Sequence, residues 1–180
     1  MSYKDTFAER KVVKQQAELL AIKHYENRGI KIIRAGMDAL QEDISGKHWV
    51  NTPQLIRNIP DFIIFTDDGN RFIECKNASE TVKLKIPELS NYRWWNNMMP
   101  VTMFIYSHPF KTVYNVGILE IARLINDLKF QPQTDPNYSM KFYDIPVKEL
   151  ALYGTMDAQD GYYINDWNQV VKTKNGKEER

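Results

Sequence analysis

The stretch Pro60–Ala78, PDFIIFTDDGNRFIECKNA, constrains the fold more than any other part of the chain. DFIIF and RFIECK are short runs rich in β-branched and aromatic residues, and the residues between them include the pair Asp68-Gly69. Asp-Gly closes tight hairpins because both residues tolerate the left-handed backbone angles that such turns demand. With Asp68 and Gly69 as the two turn residues, Phe65 is expected to face Phe72, Ile63 to face Glu74, and Asp61 to face Lys76. Side chains alternate along a strand, so Asp61, Glu74 and Lys76 share one face while Cys75 points to the other. Asp61 then lies diagonal to Glu74, roughly 7–8 Å away before side-chain reach is counted. A slip of one residue would scatter the three.

Their neighbours Phe62, Ile63, Ile64, Phe72 and Ile73 point to burial on both faces of the sheet. Ionised groups in such a place are costly unless paired, hydrogen-bonded or bound to metal. Two carboxylates with room for water and phosphate oxygens suit Mg²⁺ (or Mn²⁺), a hard cation held through one or two carboxylates while it keeps several waters. Lys76 offsets the carboxylate charge and can touch a phosphate or an attacking water. Cys75 reads as core, with its backbone carbonyl free to serve as a metal ligand. The blander alternative is a strand-initiating aspartate beside a cross-strand Glu74–Lys76 ion pair on a wet sheet edge.

With 180 residues, 43% of them hydrophobic and 26% charged, the chain can bury one sizeable core. A net charge of +1 excludes the strongly basic character of a protein that coats nucleic acid, so any nucleic-acid surface must be local. One cysteine allows no intrachain disulfide, and His24, His48 and His108 are too scattered to suggest a zinc site. The opening MSYKDTFAER lacks an apolar signal, and no run approaches the roughly 20 apolar residues needed to cross a bilayer. A soluble protein of the cytoplasm or another reducing intracellular compartment, with no membrane partner, is expected.

Along the chain, a helix is expected from a Thr6–Glu9 capping box to a stop at Gly29, followed by a strand IKIIRAG and an irregular connection DALQEDISGKHWVNTPQLIRN. After the hairpin come a helix IPELSNYRWWNNMM, strands VTMFIYS and TVYNVGIL, and a helix LEIARLINDLKF. QPQTDPNYS reads as a loop, KFYDIP as a strand, VKELALYG as a helix, and GYYINDW as a final strand. This is an α/β chain with a mixed sheet flanked by helices. Residues 1–126 are expected to form the core, 127–171 a C-terminal extension packed on it, and 172–180 a disordered tail.

Pro60-Asp61 followed by Glu74-Cys75-Lys76, on a hairpin after a helix and a strand, resembles the signature of the PD-(D/E)xK nuclease superfamily, which includes restriction endonucleases and Holliday-junction resolvases. The resemblance spans about Thr6 to Glu120 and implies a restriction-endonuclease-like fold and divalent-metal-dependent hydrolysis of DNA phosphodiester bonds. It implies Asp61 and Glu74 as metal ligands, Lys76 as the group orienting or activating the nucleophilic water, and Glu18 as a further carboxylate from the first helix. Where many members carry a glutamine and a tyrosine one helical turn apart, this chain has Glu88 and Tyr92.

Lys83, Lys85 and Arg93, and also Lys31 and Arg34, are candidate phosphate contacts, although solvated charge is the default reading of such residues. Tyr92, Trp94 and Trp95 are expected mainly in the core, with one tryptophan exposed. The expected function is an endonuclease of recombination, repair or restriction acting on duplex or branched DNA. Cutting both strands with one small site calls for a homodimer. A non-catalytic nucleic-acid-binding or assembly module of the same fold, and an exonuclease, are the competing readings.

Overall fold

A computed structural model describes residues 16–37, 46–136, 139–151, 155–156, 162–164, 170–174 and 177–178. The Thr6–Glu9 capping box lies outside them. The first helix, α1 (residues 16–26), ends where expected: Gly29 adopts a φ of 69°, and the N–H groups of Gly29 and Ile30 turn back to the carbonyls of Glu26 and Tyr25. That left-handed step is why a glycine stands there.

Strand β1 (Lys31–Arg34) follows. The connection expected to be irregular contains two short helices, α2 (Gly46–Asn51) and α3 (Gln54–Arg57). Then come β2 (Phe62–Thr66), β3 (Gly69–Ala78), β4 (Thr81–Lys85), α4 (Ile86–Asn96), β5 (Val101–Ser107), β6 (Thr112–Gly117) and α5 (Ile118–Asp127). The C-terminal part adds β7 (Gln133–Thr134), β8 (Lys141–Pro146), α6 (Val147–Leu150), β9 (Thr155–Met156), β10 (Tyr162–Ile164), β11 (Val170–Lys174) and β12 (Lys177–Glu178).

The main sheet runs β1-β2-β3-β5-β6-β9. β1, β2 and β3 form an antiparallel meander, β5 joins β3 in parallel after the crossover through α4, and β6 returns antiparallel. The expected α/β class, a mixed sheet flanked by helices, is therefore the observed one. Alternation along the strands splits the core in two. Phe62, Ile64, Ile73, Cys75, Phe104 and Tyr106 pack with Ala17, Leu20, Ala21 and Tyr25 of α1. Phe72, Val101, Met103 and Ile105 pack on the other side with Leu89 and Tyr92 of α4 and Ile118, Ile121 and Leu124 of α5.

β4, which the sequence reading passed over, pairs with β8 along its whole length in a second sheet, β4-β8-β7. Its residues alternate as a half-buried strand should, with Val82 and Leu84 inward and Lys83 and Lys85 outward. Ile145, Val147 and Leu150 of the extension join the α4–α5 side of the core. Lys172, taken from the sequence as the start of a tail, pairs with Tyr162.

The hairpin register differs from expectation. Thr66 pairs with Gly69, Phe65 with Asn70, Ile63 with Phe72 and Phe62 with Ile73, so the turn residues are Asp67 and Asp68. The shift is two residues. Because the side-chain period is also two, every residue keeps its face.

Candidate active site

Extending the observed ladder one step past Phe62 and Ile73 sets Asp61 opposite Glu74, not diagonal to it. Backbone contacts fix Asp61 on both sides. Its carbonyl accepts the N–H groups of Ala35 (2.8 Å) and Gly36 (3.1 Å), and its Oδ2 accepts the N–H of Cys75 at 2.8 Å. Gly36 eases this approach, because a Cβ there would lie 3.0 Å from the Asp61 Cα, tighter than ordinary van der Waals contact. From the sequence alone Gly36 carries no expected role. A glycine closing an apolar strand was the available signal.

Asp61 and Glu74 are each only 6% exposed. Glu74 neighbours Met103 of β5, which is fully buried. An apolar side chain at position 74 would gain roughly 1.5–3 kcal/mol of burial that glutamate forgoes. Lys76 offsets the charge, its Nζ lying 2.8 Å from Glu74 Oε1. The Tyr92 hydroxyl hydrogen-bonds Glu74, and the Tyr92 ring centroid lies 5.7 Å from Lys76 Nζ.

Glu88 completes the cluster. Its Oε2 lies 3.2 Å from Lys76 Nζ, and its Oε1 lies 2.8 Å from Lys85 Nζ. Lys76 is thus bracketed by two carboxylates. α4 delivers both Glu88 and Tyr92, four residues apart and so on one helical face.

The electrostatics follow from this crowding. Burial, and then the Glu74 charge, push Asp61 up to about 8, against the opposing pull of the Cys75 N–H and Lys76; Glu18 adds a smaller upward push. Burial works against the Lys76 charge, yet Glu74, Tyr92 and Glu88 together hold its ammonium well above the ordinary lysine range. Burial would likewise raise Glu88, but Lys76 and Lys85 keep it below the usual carboxylate value. Burial first, and then Asp61 and Glu74, push the Cys75 thiol well up, which removes it as a nucleophile. Cys75 is core, as expected.

The other expected site residues separate. Glu18 is buried on α1 and pairs with Arg34 of β1 at 2.6 Å, within electrostatic range of Asp61. Arg34 also stacks 4.9 Å over the Phe62 ring. Lys85 is occupied by Glu88, Lys83 lies 5.1 Å over the Phe142 ring, and Lys31 lies 5.8 Å over Phe65. Arg93 is exposed on α4. Of the aromatics, Tyr92 is core, Trp95 is half-buried against Phe72, and Trp94 is exposed.

Among the described residues, no group of three or more His, Cys, Asp or Glu side chains could hold a metal ion. A cation here would rest on two carboxylates, with backbone, water or substrate oxygens completing its shell. That donor set fits Mg²⁺. It also fits the repulsion between Asp61 and Glu74, which a cation would relieve.

Among solved structures, the chain is similar to a Holliday junction resolvase from the archaeal hyperthermophile Archaeoglobus fulgidus, with a TM-score of 0.48, 13% identity, and coverage of 79% of this chain and 90% of that one. It is also similar to D212, a nuclease from a fusselovirus, with a TM-score of 0.44, 12% identity, and coverage of 74% and 79%. No protein-family model and no curated protein matches the chain. No helix among the described residues is long and apolar enough to cross a membrane.

Proposed function

We propose that the chain is a divalent-metal-dependent nuclease that hydrolyses DNA phosphodiester bonds, acting as an endonuclease on duplex or branched DNA. The observation that carries the reading is the convergence of Asp61, Glu74 and Lys76 at one end of the β2–β3 hairpin, where burial, and then the neighbouring Glu74 charge, push Asp61 up to about 8. A chain selected for stability alone has no reason to keep that arrangement.

Asp61 and Glu74 would hold Mg²⁺ or Mn²⁺, with the Cys75 carbonyl as a third oxygen. When bound, the cation would acidify a water and offset charge on the phosphate oxygens. Lys76, kept protonated by its neighbours, donates hydrogen bonds toward a phosphate oxygen or orients the attacking water. Glu88 and Tyr92 keep that ammonium in place. Glu18, tied to Arg34, tunes the charge on Asp61 from the far side of the sheet. Of the basic residues, Arg93, exposed on α4, supplies a phosphate contact, and a homodimer would cut both strands.

The test incubates the protein with a linear duplex, a covalently closed circle and a four-way junction of matched length, in Mg²⁺, Mn²⁺ or excess chelator. Cutting of the circle or junction with metal is expected, and Asp61→Ala, Glu74→Ala and Lys76→Ala each abolish it while keeping the native circular dichroism. Full cleavage in chelator would refute the metal. Degradation of the linear DNA to mononucleotides with circle and junction untouched would make the chain an exonuclease. No cleavage of any substrate would leave a binding module.

A further inference from the structure

Beside the candidate site lie two segments that carry aromatic and basic residues and no acidic ones. Residues 46–60, which carry α2 and α3 and lead directly into Asp61, contain Lys47, His48 and Arg57 but no acidic residue. The segment 89–100 of α4 and its exit contains Arg93 and likewise no acidic residue. In a chain whose net charge is only +1, this concentrates positive charge in one place. Lys47, Arg57 and Arg93 form no ion pair among the described residues.

The same two segments bring exposed apolar and aromatic groups together. Trp95 donates its Nε1–H to the Leu55 carbonyl at 3.3 Å, which ties α4 to α3. Trp94 packs edge-on against Trp95 at 5.1 Å, and the Arg57 guanidinium lies 6.0 Å over the Trp49 ring. Trp94 is 46% exposed, Val50 71% and Met98 67%. Arg57 Nε and Asn91 Nδ2, both shut off from solvent, lack hydrogen-bond partners. On α4, Asn91 stands three residues after Glu88 and four before Trp95, so it links the candidate site to the aromatic surface.

Flat aromatic faces interleaved with unneutralised cations are what an unstacked nucleic-acid strand recognises: bases stack on the rings and phosphates meet the cations. A hydrophobic protein partner would explain the exposed tryptophan but not the complete lack of carboxylates.

We propose that Trp94, Trp49, Arg57 and Arg93 form a platform for single-stranded DNA that feeds an unpaired strand toward Asp61 and Glu74. The proposal rests on the nuclease reading of that site and narrows its substrate from duplex or branched DNA to branched DNA that carries an unpaired strand. Trp94 is the main stacking surface, because it is the most exposed of Trp49, Trp94 and Trp95. The cations act through phosphates and discriminate little between sequences.

Binding of a labelled oligothymidylate and of a blunt duplex of equal length is measured in chelator on the Lys76→Met background, so that neither cleavage nor metal enters. Trp94→Ala is expected to weaken the single strand roughly tenfold and the duplex by less than twofold, with Trp94→Phe restoring most of the loss. Arg57→Ala and Arg93→Ala are expected to weaken both ligands and lower the salt dependence by about one phosphate contact each. Met98→Asp, an exposed change that leaves the rings intact, provides a second variant and is expected to weaken the single strand by charge repulsion. Equal single-strand affinity in wild type, Trp94→Ala and Met98→Asp would overturn the proposal. So would equal losses on both ligands in Trp94→Ala, or a change of oligomeric state with no change in DNA affinity, which would make the surface a contact between copies. Failure of the nuclease reading is seen separately, as Trp94-dependent binding by a wild-type chain that cuts nothing.

Discussion

Asp61→Asn is expected to make the metal-free protein more stable at neutral and alkaline pH. The folded chain holds the Asp61 carboxyl at about 8, against an ordinary value of 3.8. Below the ordinary value the group is protonated in both states and ionisation contributes nothing. As pH rises the unfolded chain releases the proton freely while the folded chain retains it, so stability falls across that window and levels off above about 8. At ~1.4 kcal/mol per pH unit, the full window corresponds to on the order of 5 kcal/mol. Asparagine keeps an acceptor for the Cys75 N–H but cannot ionise. It buries an amide NH₂ in exchange, so the net gain at pH 8 is about 2–4 kcal/mol. Urea unfolding followed by circular dichroism, in chelator from pH 4.5 to 8.5, measures the difference between the two proteins so that groups common to both cancel. The gap is expected to favour the variant increasingly as pH rises, to pass through zero between about pH 4.5 and 6, and to reverse near pH 4, where only the cost of the buried amide remains. Mg²⁺ selects the ionised carboxylate, so it is expected to stabilise wild type more at pH 8 than at pH 5.5 and the variant little at either. A gap independent of pH, or a variant less stable than wild type at pH 8, would refute the account of Asp61.

Three further outcomes are expected. Glu88→Ala removes one of the two carboxylates bracketing Lys76, and single-turnover DNA cleavage is expected to fall about tenfold, the worth of one charge-assisted hydrogen bond, with unfolding midpoints nearly unchanged. Gly36→Ala places a methyl 3.0 Å from the Asp61 Cα and must displace that backbone; cleavage is expected to fall up to about a hundredfold for roughly 1 kcal/mol of stability, and an unchanged rate would mean that Asp61 need not be held so closely. The Cys75 thiol, buried and pushed well above its usual range, is expected to resist a thiol-reactive dye in the native protein and to react with one equivalent once urea unfolds it.

Local pattern fixed much of this protein. VTMFIYS and KFYDIP read as strands and coincide with β5 and β8 residue for residue, because β-branched and aromatic runs bounded by proline or turn residues leave little freedom in where a strand begins. The shared face of Asp61, Glu74 and Lys76 was also legible. It survived a register error of two residues because alternation depends only on parity. The tertiary structure decided what parity cannot carry. It set Asp61 opposite Glu74, closed Gly36 onto the Asp61 backbone, gave Arg34 to Glu18 across 16 residues, and bracketed Lys76 with Glu88 from the following helix. It paired β4 with β8 and divided three neighbouring aromatics into core, half-buried and exposed. Each of these depends on how separate elements meet, and the periodicity of one element holds no record of the partner that packing will bring against it.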